Sequence, residues 1–140
     1  MIASRVFQTA SAAPIKAAHV DVLNFAAYHL DQGAHRLYIY LDESAPDTYA
    51  VLKAHPKIRA TICDDTYWQK QGVKRMVKHQ VRQTWNATHA YRRKAEVDWL
   101  AHIDVDEFLY SKAAIIDQLT ALPANACCAR LYPAEALSGD

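Results

Sequence analysis

Three carboxylates fall within four residues, at Asp104, Asp106 and Glu107, directly after the apolar run Trp99-Leu100-Ala101-His102-Ile103. Such a run reads as a buried strand, and acids at its carboxyl end lie where open α/β sheets bind ligands. In an extended segment the side chains alternate, so Asp104 and Asp106 would point the same way. Two hard oxygen donors on one side of a strand end suit a hard divalent cation, manganese or magnesium, which completes its shell with water and phosphate oxygens. The competing reading is a solvated turn after a strand. Against it stand the third acid and the lack of a Gly or Pro to mark an ordinary turn. An EF-hand is excluded, because its loop needs Gly at the sixth position, where this chain has Leu109.

A second strand ends in the same way. The β-rich run Leu37-Tyr38-Ile39-Tyr40-Leu41 meets Asp42-Glu43-Ser44. If the strands are parallel, Asp42 shares a sheet edge with Asp104. Its other use would be to cap the next helix, with Asp42 or Ser44 as the cap and Pro46 and Asp47 in the first turn. A basic cluster follows at Lys70, Lys74, Arg75, Lys78, His79 and Arg82. It could complement a diphosphate, with Lys74 and Arg82 the leading candidates, or form a solvated charged face.

The elements that must position these groups alternate along the chain. A weak strand is expected over residues 5–10 and a loop over 11–14. Val20, Leu23, Ala27 and Leu30 recur at helical spacing, with Asp21 in the first turn and Gly33 just past the end. His29 is read as part of that helix's packing or surface. A short helix ends before Pro56, a third strand covers residues 58–63 and runs into Asp64-Asp65, and residues 67–74 read as a loop over the same edge. A helical pattern over 76–94 puts Val77, Val81, Trp85 and Thr88 on one face, with Arg82, Asn86 and His89 on an adjacent stripe. After the strand ending at Asp104, Ile115, Ile116, Leu119 and Leu122 mark a helix stopped by Pro123, and residues 127–132 read as a last strand. This alternation argues for an α/β fold, a mostly parallel sheet with helices on both faces, forming one domain over residues 1–140.

The chain has 140 residues, enough for one domain with its own core. A net charge of +1 gives no electrostatic case for a nucleic-acid partner. Cys63, Cys127 and Cys128 are odd in number and two are adjacent, which suits neither a disulfide framework nor a zinc site. A reducing, cytoplasmic setting is the simpler expectation. Neither a membrane-spanning run nor a signal peptide is expected, which leaves peripheral membrane association open.

The segment His102-Ile103-Asp104-Val105-Asp106-Glu107-Phe108-Leu109 resembles the Asp-x-Asp region of family 2-like glycosyltransferases with a GT-A fold. The stretch from Phe25 to Asp42, with Tyr28-His29-Leu30-Asp31-Gln32-Gly33 and Tyr38-Ile39-Tyr40-Leu41-Asp42, is similar to the same group. So is Arg82-Gln83-Thr84-Trp85-Asn86-Ala87-Thr88-His89-Ala90-Tyr91-Arg92, in the same order and spacing. The resemblance implies a GT-A-like domain of a metal-dependent glycosyltransferase. Such an enzyme moves a sugar from a nucleotide-diphosphate donor to an acceptor, here unidentified, in polysaccharide or glycoconjugate synthesis. It further implies that Asp106 ligates the metal, that Asp104 supports the metal or the ribose, and that Asp42 contacts the nucleoside.

Breaking the anomeric bond builds charge on the diphosphate, and the acceptor hydroxyl must lose a proton to a base. Similar enzymes place that base and the acceptor site in a second half. Glu135 and Asp140 are the only acids beyond the last expected strand, so the expectation is a truncated, donor-binding part with no assigned base. One rival is a haloacid-dehalogenase-type phosphatase, whose nucleophile is also Asp-x-Asp after an apolar strand. Its usual Thr, two places after the second Asp, is Phe108 here. The other is a non-catalytic or incomplete α/β domain that binds nucleotide or a partner at the acidic edge.

Overall fold

The computed structural model describes residues 6–12, 19–42, 44–93 and 97–134, the first segment by its backbone. The expected strand start at Arg5, the loop end at Pro14, Glu43, the helix end at Lys94, and Glu135 and Asp140 lie outside the described residues.

In chain order the elements are β1 (Val6–Ala12), α1 (His19–Asp31), β2 (Arg36–Leu41), α2 (Pro46–Ala54), β3 (Ile58–Ile62), α3 (Asp65–Lys70), α4 (His79–Tyr91), β4 (Trp99–Asp104) and α5 (Ile115–Thr120). The four strands form one sheet in the order β3-β2-β1-β4, and every neighbouring pair is parallel. Parallel neighbours need crossover connections, which the intervening helices supply. Ser11 of β1 is in register with Tyr40 on one side and Asp104 on the other. The carboxyl ends of β2 and β4 therefore share one sheet edge.

β2 alternates its side chains between two separate cores. Leu37, Ile39 and Leu41 pack with Val22, Phe25 and Ala26 of α1 and Leu52 of α2. Tyr38 and Tyr40 pack on the opposite face with Tyr67 and Trp68 of α3 and Ala90 of α4. Each fully buried Leu, Ile or Phe contributes roughly 1.5–3 kcal/mol, so this one strand joins both layers. Helix α1 stops where the sequence predicts. Gly33 takes a left-handed φ of 91°, and its N–H and that of Ala34 return to Leu30 and His29 carbonyls at 3.1 and 3.0 Å. That is the Schellman closure.

Five expectations are corrected. The buried face of α1 is Val22, Phe25, Ala26 and His29, whereas Val20 is 55% exposed, so the apolar stripe was read from the flank of the helix. Helix α4 buries its polar stripe, Arg82 and Asn86 with Ala90, while Val77 just before it is 95% exposed and Val81 is also exposed. The region read as a loop over 67–74 opens with helix α3. The Asp64 side chain accepts the Tyr67 N–H at 2.8 Å and caps it, and Tyr67 and Trp68 fill the second core. Strand β4 is half-buried at the edge of the sheet, not fully buried, because only β1 pairs with it among the described strands. Residues 127–132 form no strand and are largely exposed.

Candidate functional site

Two acidic corners stand on the shared edge. The first follows β2. Asp42 does not cap α2, whose N-cap is Ala45 without a side-chain bond, so neither Asp42 nor Ser44 serves that purpose. Asp42 instead receives Arg82. The Arg82 Nε donates to both carboxylate oxygens at 3.0 and 3.1 Å, and Nη2 donates to Oδ2 at 2.5 Å. Arg82 also closes the approach to α4, since Nη1 donates to the Met76 and Val77 carbonyls at 2.6 and 2.7 Å. Both side chains of the pair are buried, and a half-exposed Arg75 adds a second ion pair to Asp42 at 3.2 Å. A guanidinium carries five N–H donors, and these contacts with described residues use four, the fifth being on Nη2. Lys74, two residues after the left-handed Gly72, is exposed.

Beneath this corner lies a satisfied polar layer. Asn86 of α4 accepts the Tyr67 hydroxyl at 2.8 Å and its amide faces the Cys63 sulfur at 3.6 Å. The Tyr40 hydroxyl and His89 Nδ1 are 2.7 Å apart. Burial pushes the Cys63 thiol up to about 12, which makes it an inert part of the core.

The second corner follows β4. The strand ends at Asp104, and Glu107 N–H donates to the Asp104 carbonyl at 3.0 Å, closing a turn with no glycine or proline. The expected extended geometry thus stops at Asp104, two residues short of Asp106, but burial still alternates. Ile103 and Val105 enter the first core, while Asp104 is half-buried and Asp106 exposed. The Glu107 carboxylate folds back to accept the Asp104 N–H at 3.2 Å. Gln83 of α4 reaches across and donates to Asp104 Oδ1 at 2.9 Å. Sequence reasoning missed Gln83. Its one signal was its place beside Arg82 on the same helix.

Burial, then the Glu107 and Asp106 charges, raise the Asp104 carboxyl above its ordinary value, with His102 and His79 pulling the other way. Asp104, Asp106 and Glu107 take no ion pair from Lys or Arg among the described residues. Nor do three His, Cys, Asp or Glu side chains converge there as a ready-made metal cage. The donor set nevertheless fits a hard divalent cation of the kind held by one or two carboxylates and completed by water and phosphate oxygens. The structure brings Asp42, Arg82, Gln83 and Asp104 to one edge, two of them through α4. An open cleft lined by Asp98, Trp99, Leu119 and Pro123 lies at the other end of β4, away from these acids.

Among the described residues no helix is long and apolar enough to cross a membrane. Residues 9–121 match the model of glycosyltransferase family 92. No curated protein and no solved structure matches the chain. The match supports glycosyl transfer, under a different family from the family 2-like group that the motifs resemble, and it sets the phosphatase reading aside.

Proposed function

Because the chain belongs to glycosyltransferase family 92 and is thus a sugar-transferring enzyme, we propose that its acidic sheet edge is the donor-binding half of a metal-dependent, GT-A-like domain. The donor is a nucleotide-diphosphate sugar. The observation that supports this best is the pair of parallel strand ends on one edge, one acid neutralised by arginines and the other acids without any among the described residues. In this reading Asp104 and Asp106 hold manganese or magnesium, Asp42 meets the nucleoside, and Lys74 with the fifth Arg82 N–H faces the diphosphate. When bound, the cation supplies Lewis-acid stabilisation of charge on the departing diphosphate. Gln83 orients Asp104 by holding one carboxylate oxygen. Arg82 and Arg75 hold the Asp42 carboxylate in place, so this corner is assembled before a ligand arrives.

A thermal-shift panel of UDP, GDP, CDP and ADP, each with and without manganese, tests this. One nucleotide should stabilise the protein only with the metal, by roughly 2.7 kcal/mol at about 100-fold excess over Kd. Asp106→Asn should remove that shift while leaving the unliganded melting temperature near the parent's. No shift with any nucleotide would defeat the proposal, and an unfolded Asp106→Asn would make that residue structural.

A further inference from the structure

Beyond Glu107 the chain runs directly onto helix α1. The Phe108 ring lies parallel to His29, within 6° at 5.9 Å between centroids, and meets Tyr28 edge-on at 5.1 Å. Both polar groups of the next peptide are held as well. The Tyr28 hydroxyl donates to the Leu109 carbonyl at 2.6 Å, and the Leu109 N–H donates to His29 Nε2 at 3.3 Å. The second bond needs one particular imidazole. His29 Nδ1 sits 2.9 Å from the Phe25 carbonyl, which can only accept, so Nδ1 carries the proton and Nε2 is left as the acceptor. His29 is fully buried, and its helix is anchored in the first core.

Besides this clamp, the acidic turn is held by Val105 in the first core and by Gln83 on Asp104. Among the described strands only β1 pairs with β4, and α5 buries none of its residues. We propose that Tyr28 and His29 are positioning residues for the acidic strand end. By gripping Phe108 and both polar groups of Leu109, they fix where the turn over residues 104–107 sits and so set the spacing of Asp104 and Asp106. The inference rests on the cation reading of those two acids and assigns the residues that hold them in place. Neither side chain touches the acids themselves.

The test uses the metal-free chain and Mn2+ alone as probe, with Tyr28→Phe, His29→Asn and His29→Gln. Asn keeps a donor near the Phe25 carbonyl but loses the acceptor for Leu109, whereas Gln can return an acceptor close to the Nε2 position. Amide exchange of Glu107 and Leu109 should rise about three- to tenfold in Tyr28→Phe and His29→Asn, the range expected for one lost hydrogen bond, with Leu37 and Ile39 amides unchanged. The Mn2+ dissociation constant, read by electron paramagnetic resonance, should weaken by a similar factor, and His29→Gln should recover much of both. Unchanged exchange at Glu107 and Leu109, or exchange rising equally in β2, would overturn the clamp. Faster exchange with unaltered Mn2+ affinity would reduce Tyr28 and His29 to structural residues. A parent chain that binds no Mn2+ would sink the cation reading itself, and the exchange arm alone would then decide whether the clamp holds the turn.

Discussion

The two acidic corners sit on one sheet edge and are built on opposite electrostatic plans. At the end of β2, Asp42 is buried against Arg82 and backed by Arg75, and the guanidinium is itself tied to two backbone carbonyls. At the end of β4, three acids crowd one turn, and among the described residues one side-chain amide, Gln83, donates to them from outside it. Opposite charges in contact stabilise a folded chain, and like charges in contact destabilise it unless something cationic joins them. The first corner is therefore compensated by the chain's own side chains. At the second, an added positive charge would be stabilising.

Mutations that treat the corners alike should give unlike results. The largest effect is expected from Arg82→Ala, which leaves a buried Asp42 carboxylate with one half-exposed partner and frees two carbonyls. Removing one member of a buried pair costs about 3–5 kcal/mol. Urea unfolding should show that loss, and adding Asp42→Asn should recover part of it. A loss below about 1 kcal/mol would mean the first corner is no firmer than a surface pair.

A smaller effect is tied to pH. Burial lowers the His29 pKa below its ordinary 6.5, so between the two values the unfolded chain binds the extra proton and stability rises with pH. The contribution of neutral His29 is full above about 6.5 and is lost as pH falls towards the folded value. The slope is at most about 1.4 kcal/mol per pH unit. Unfolding titrations of parent and His29→Gln should differ only in that acid window. A difference that grows above pH 7 would contradict the lowered His29 pKa.

The smallest effect concerns Asp104→Asn, which relieves like-charge crowding while keeping an oxygen for Gln83. Stability in the absence of metal should stay within about 0.5 kcal/mol of the parent, on the stabilising side. A clear destabilisation would show that the second corner is as structural as the first.

The layered α/β plan was legible because β2, β3 and α1 carry their signals locally, in a β-branched and aromatic run, in Pro56 and in Gly33. Helix α4 was read inside out for a physical reason. Its apolar Val81 faces outward, whereas Arg82 and Asn86 go in because Asp42, two carbonyls, Tyr67 and Cys63 satisfy them. Hydropathy along one segment does not contain the partners that make a polar residue burial-competent. The same limit hid Gln83 and the Leu109 contact of His29, both made with residues distant in sequence. Helix α3 was the avoidable miss, since Asp64-Asp65 before an aromatic pair is a cap followed by an acidic first turn.

The register of β1 has a consequence for what can occupy this edge. Because β1 lies between β2 and β4, with Ser11 level with both Tyr40 and Asp104, two interstrand steps separate the corners. Those steps amount to about 10 Å of backbone spacing. The sheet thus acts as a ruler. On that backbone spacing, a molecule with chemically different ends roughly that far apart would be able to read both corners at once.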